Sequence, residues 1–149
     1  MGALQAHGIS AQLPSGFEGQ IFQRQATGAE VARPVAQFAT FALPPQVGDF
    51  GGGAVNLMGP SDIFVVLFQY GPESTGTALF ARQGMPRQLG TGDFHPFTLR
   101  RGLPGQSGTQ WFFTESGKPF TLYAVLGNHL SRAQLVPQLN ALLQGIAVT

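Results

Sequence analysis

Cysteine is absent from the chain. That excludes disulfide scaffolds, thiol nucleophiles, structural zinc fingers and iron–sulfur sites in one step. Charge is nearly as scarce. Eight basic and seven acidic side chains make up 10% of 149 residues, against about 25% in an ordinary soluble domain. The net charge of +1 offers no field to attract a nucleic-acid backbone. Arg24, Arg33, Arg82, Arg87, Arg100, Arg101, Lys118 and Arg132 are scattered, and only Arg100 and Arg101 are adjacent. A pair is not a basic patch, so no nucleic-acid partner is expected. Long apolar runs are missing too. The longest, Ile63–Phe68, has six residues, far below the roughly 20 of a membrane-spanning helix. Met1–Pro14 carries no positive charge and no apolar core of about seven residues, so it does not read as a signal peptide. These absences together point to a cytoplasmic protein without a transmembrane segment.

What is present is apolar and aromatic. The chain has 13 Phe, and large aromatics dominate core burial, so a disordered chain is excluded. Glycine (21) and proline (11) punctuate it densely. At this length a single domain is expected over residues 1–149. Residues 1–14 read as an irregular lead. Phe17–Arg24 and Val35–Leu43 are strand candidates, the second ended by Pro44-Pro45. Ala54–Met58 reads as a short strand. Ile63–Tyr70 is apolar on both parities, which predicts a central strand covered on both faces. Ala78–Gln83 reads as one or two helical turns stopped by Gly84. Phe94–Arg101 is extended, with Pro96 at an edge or bend.

The strongest local pattern is a hairpin. Thr109–Glu115 carries Trp111, Phe112 and Phe113, Ser116–Pro119 turns, and Phe120–Leu126 returns. The alternation sends Phe112 to one face and the Trp111/Phe113 pair to the other. A helix is expected over 131–146. Leu135, Leu139, Leu142 and Ile146 make one apolar stripe, widened by Val136 and Leu143. Ser131 and Gln134 suggest a capping box, Pro137 lies toward the polar side, and Gly145 is the stop. The fold class is therefore α+β: a mainly antiparallel sheet of about six or seven strands with a C-terminal amphipathic helix packed on one face. Phe22, Phe64 and Phe112 require cover on the other face as well.

Motifs that resemble chemistry have plainer readings. Asp49-Phe50-Gly51 spells the kinase metal-binding triplet without the rest of a kinase. Gly51-Gly52-Gly53 lacks the lysine and helix of a phosphate loop. Gly105-Gln106-Ser107-Gly108 is one residue short of a nucleophile elbow; His129 and Asp93 could be cast as partners, but any chain has a Ser, a His and an Asp, and a loop before the hairpin is the plainer reading. His7, His95 and His129 have no metal-ligand spacing, so neither a metal nor a cofactor is expected. No carboxylate pair suits acid–base work. The residues best suited to binding are Trp111, Phe113 and Tyr123, with Arg100 and Arg101 as a polar rim.

Leu13–Phe17 (Leu-Pro-Ser-Gly-Phe), the hairpin Gln110–Leu126, and Leu135-Val136-Pro137 with Asn140 occur in an order that resembles short uncharacterised proteins of GC-rich bacteria. A final strand followed by a packed helix is similar, at the level of fold, to PsbP-like domains. Neither resemblance implies an activity.

The function expected first is a non-catalytic protein-interaction or assembly module that self-associates. Its surface is poor in charge and rich in glutamine (15 residues), and few charges near zero net charge favour association. One sheet face or edge should then be covered by another copy or another protein. The alternatives are a carrier of a small apolar ligand between sheet and helix, and a hydrolase whose site is assembled only in the fold.

Overall fold

The computed structural model describes residues 2–23, 33–43, 54–96 and 105–149. Arg100, Arg101 and the Asp49–Gly53 segment lie outside the described residues. Eight strands occur among the described residues: β1 Gly2–Ala6, β2 Ile9–Leu13, β3 Glu18–Gln23, β4 Pro34–Ala39, β5 Ile63–Gln69, β6 Ser107–Glu115, β7 Lys118–Leu126 and β8 Ile146–Val148. One α-helix, α1, spans Arg132–Gln144. The strands form two antiparallel sheets, ordered β1-β2-β8 and β3-β4-β5-β7-β6. The α+β class is as expected.

Strand β5 is the middle strand of five, and Ile63–Phe68 are all buried. Its apolar residues on both parities serve two cores. On the front face, Val65 lines up with Phe38 of β4 and Ala124 of β7. This face packs against β2, β8 and α1, and takes in Ile9, Ala11, Leu13, Leu135, Leu139, Leu142 and Ile146. Leu135, Leu139 and Leu142 of the expected stripe are therefore buried on the helix, which ends at Gln144, while Ile146 is buried in β8 and Pro137 faces solvent. On the back face, Phe22, Val35, Phe68, Thr121 and Phe112 form one row across all five strands. Phe64, Val66 and Val125 pack there with Ala54. The Ala78–Phe80 turn supplies part of the cover: Phe80 meets Phe112 edge-on at 5.7 Å, and its carbonyl accepts from Thr114 Oγ1.

Four local expectations are corrected. The N-terminal lead is not irregular but a hairpin, β1–β2, paired from Gly2↔Leu13 to Ala6↔Ile9. Its turn is His7-Gly8, both at positive φ (53° and 83°), the geometry that matches strand twist. Ile9, Ala11 and Leu13 alternate inward, a pattern confined to five residues. Ala54–Leu57 is a 3₁₀ turn rather than a strand, with only Ala54 buried. Ala78–Phe80 is likewise 3₁₀, and Arg82–Gly84 continues it as a bridge to β6. Ser131 makes no side-chain cap. Asn128 does that work, accepting from the Leu130 N–H at 2.9 Å at the start of a 3₁₀ turn, His129–Ser131, that leads into the helix.

Candidate functional site

Of the residues singled out for binding, the described ones, Trp111, Phe113 and Tyr123, do not converge. Phe113 is fully buried and stacks on Phe120 with centroids 5.9 Å apart, so it belongs to the front core and reaches no partner. Tyr123 lies on the opposite face, in a row with Val66 and Gln110. Burial raises its hydroxyl pKa. Trp111 is half-buried on the front face of β6, with the Arg82 guanidinium 5.0 Å above its ring. The indole N–H is buried and has no hydrogen-bond partner among the described residues.

Ser107 and His129 do meet. Ser107 Oγ lies 2.8 Å from His129 Nδ1, where the start of β6 passes the exit of β7. The His129 backbone N–H donates to Gly105 O at 2.6 Å, and Arg132 Nε donates to His129 O at 2.9 Å. The distance suits a nucleophile and base. Access does not: Ser107 has no exposed surface, so the hydroxyl is closed to a substrate. The pair is a polar clasp between the hairpin and the helix entrance.

Burial first, then the positive charges of Arg132 and His95, hold the His129 imidazole below its ordinary pKa. A folded pKa below the unfolded value of about 6.5 means the unfolded chain binds protons more readily. The clasp therefore contributes its stability above about pH 6.5, and loses it as pH falls from there through the lower folded value. Urea midpoints should drop more between pH 7.5 and pH 5 for the native chain than for His129→Gln, which keeps an acceptor but does not titrate.

The sheet edges supply the other functional geometry. Strand β6 is blocked at both ends. His95 exchanges two 3.0 Å backbone bonds with Gly108, while Thr114 bonds Arg82 O and receives Gly84 N–H, both at 2.8 Å. Strand β8 turns Ile146 O and Val148 O outward, and these accept from Arg87 and from Ser116 Oγ. Such plugs keep an edge from pairing with another chain. Strand β3 carries Glu18 and packs beside β1, where Leu4 closes on Gly19.

Strand β1 has none of these devices from the described residues. Gln12 N–H donates to Gly145 O, so even-numbered residues of β2 face β8 and odd ones face β1. The register Leu4↔Ala11 then turns Gly2, Leu4 and Ala6 toward β2. The N–H and C=O groups of Ala3 and Gln5 point away from it. Both residues are exposed, and no described residue bonds their backbones. The strand Gly-Ala-Leu-Gln-Ala has no charge and no proline. This edge escaped the sequence reading because the lead looked structureless; the alternation of Ile9, Ala11 and Leu13 was its one signal.

The sheet–helix interface holds the buried side chains of the front core. Among the described residues, a shallow depression of about 290 Å³ lies elsewhere, lined by Gly16, Phe17, Glu18, Thr40, Phe41 and Ala42. No group of three metal-ligating side chains occurs among the described residues, and none of their helices is long and apolar enough to cross a membrane. No family model, curated protein or solved structure matches the chain.

Proposed function

We propose that the protein is a self-associating assembly module and that two copies join through β1. The observation that carries this reading is the open edge at Ala3 and Gln5, uncharged and exposed, beside two edges blocked by bonds from their own chain. The open groups are self-complementary. With a twofold axis at Leu4, Ala3 of one copy faces Gln5 of the other, and the two pairs exchange four backbone hydrogen bonds. Two three-stranded sheets then merge into one of six strands. Scarce surface charge works in the same direction, because few like charges oppose the approach.

The test uses a residue whose N–H the fold does not need. Gln5→Pro removes an outward donor and leaves the β1–β2 ladder intact, as proline is tolerated on an edge with its nitrogen facing solvent. Sedimentation of the native chain is expected to show a concentration-dependent dimer, and Gln5→Pro a monomer with unchanged circular dichroism. A native chain that stays monomeric at high concentration, or a proline variant that still dimerises, would end the proposal.

A further inference from the structure

The β1 ladder is short for a dimer interface. Its five residues span about 17 Å, whereas a stable interface draws on roughly 800 Å² from each copy. The surface that adjoins β1 must therefore contribute. Strand β1 packs on β3, the edge strand of the five-stranded sheet. Leu4 points onto it: a Cβ added to Gly19 would come within 2.9 Å of Leu4 Cδ1. Gly19 thus leaves a notch for Leu4. Phe17 and Ile21 flank that notch two residues away on either side and pack on the same front core. Leu4, Phe17 and Ile21 are all half-buried, so each keeps part of its surface in water. The one charge on β1 and β3 is Glu18, which lies on the opposite parity and accepts the Leu43 N–H. The front core therefore reaches this side of the molecule as an uncharged apolar strip.

Backbone bonds alone do not choose a register for β1. A twofold axis at Ala3 or at Gln5 would also set outward groups against each other, Ala3 against Ala3 or Gln5 against Gln5. The side chains differ. Those axes place Leu4 opposite Gly2 or Ala6 of the second copy. An axis at Leu4 places the one large apolar side chain of β1 against itself. Leu4 turns its backbone toward β2, so this is a non-hydrogen-bonded pair, the kind whose Cα atoms approach to about 4.5 Å and whose side chains lie closest. Burial of apolar groups on one face is what sets register in paired strands.

We infer that Leu4, backed by Phe17 and Ile21, is the apolar centre of the dimer and fixes its register. The inference rests on the β1 pairing proposed above and names the side chains that select it. Gly19 seats each Leu4 from below, and the Leu4 of the second copy packs against it across the axis. The two front cores then meet through this pair. A central apolar anchor of this kind carries most of the binding energy at many interfaces.

The chain has no cysteine, so single-cysteine variants report contacts between copies without background. Across a Leu4 axis the two Cα atoms fall within the range of about 4.4–6.8 Å that a disulfide spans, and those of Ala3 or of Gln5 fall beyond 7 Å. In a glutathione redox buffer, Leu4→Cys is expected to convert mostly to covalent dimer, read on a non-reducing gel, while Ala3→Cys and Gln5→Cys stay single. Leu4→Ala should weaken the sedimentation dimer at least tenfold with unchanged circular dichroism, and Leu4→Met, which keeps the apolar volume, should restore it. Preferential cross-linking of Ala3→Cys or Gln5→Cys overturns the inference and leaves β1 pairing standing, as does Leu4→Ala dimerising as tightly as the native chain. Absence of cross-links from all three variants, with a native chain that is monomeric, overturns both.

Discussion

Replacing Gly127 with alanine is expected to remove about 4 kcal/mol or more of stability, the range reserved for severe local conflict. Gly127 follows β7, and its N–H donates to Asp62 O at 2.9 Å. A Cβ there would fall far inside van der Waals contact with the Gly59 carbonyl oxygen, and 3.0 Å from its carbon. The opposing atoms are backbone and cannot rotate away. Nor can the turn retreat. The Asp62 N–H closes it onto Gly59 O, and Asp62 Oδ2 accepts the Gly59 N–H at 2.8 Å. Asp62 Oδ1 accepts from Thr40 Oγ1, which in turn accepts the Ile63 N–H. Moving the turn would break this chain of bonds at the start of the central strand. Urea unfolding followed by circular dichroism measures the loss. Gly92→Ala is the control: a Cβ there meets nothing within 4 Å, and its midpoint should shift by less than about 0.5 kcal/mol. Equal effects at the two positions would refute the steric argument.

What was legible in the sequence follows from side-chain size. Ile63–Phe68 announces a central strand because large apolar groups on both parities leave no solvated face. Trp111, Phe112 and Phe113 announce a hairpin whose faces differ, and Leu135, Leu139 and Leu142 announce the buried side of a helix. The N-terminal hairpin was illegible for the converse reason. Its buried and half-buried positions include Ala11 and Ala6, and its turn uses a histidine at positive φ, which local preference does not anticipate. Phe113 was a reasonable aromatic to propose for binding. Its burial depends on β5, β7 and the helix closing over one face, and no short window contains that information. The meeting of Ser107 with His129 spans 22 residues and exists only because β6 and β7 run antiparallel. The Arg82–Trp111 contact is equally non-local, since Arg82 is placed by the bridge from Gln83 to Thr114. Periodicity shows which face a residue takes; it does not show which groups are left without partners.

Asn140→Ala is expected to cost about 2–5 kcal/mol, through two hydrogen bonds rather than through a cavity. Asn140 is buried at 5% exposure on the inward side of α1. Its Oδ1 accepts the Leu89 N–H and its Nδ2 donates to Leu89 O, both at 2.9 Å. These bonds serve a backbone that no strand or helix satisfies, in the stretch that leaves β6 at Gly84 and rejoins it at His95. Alanine would strand both Leu89 groups, each at about 1–3 kcal/mol. Met85, Leu89 and Phe94, which this stretch inserts into the front core, would lose their anchor. Hydrogen exchange should then rise over residues 85–94 well before it rises in β5 or β7. Asn140→Asp separates the two bonds. The carboxylate keeps the acceptor for Leu89 N–H but points a charge at Leu89 O, so the variant should be destabilised at pH 7. Burial raises the pKa of such an acid, and the folded state then holds its proton more tightly than the unfolded chain does. Once protonated, the acid supplies both a donor and an acceptor. The deficit of Asn140→Asp relative to the native chain should therefore shrink as pH falls from 7 toward 4, whereas the deficit of Asn140→Ala should stay constant. Parallel pH profiles for the two variants would show that packing, not hydrogen bonding, is what Asn140 contributes.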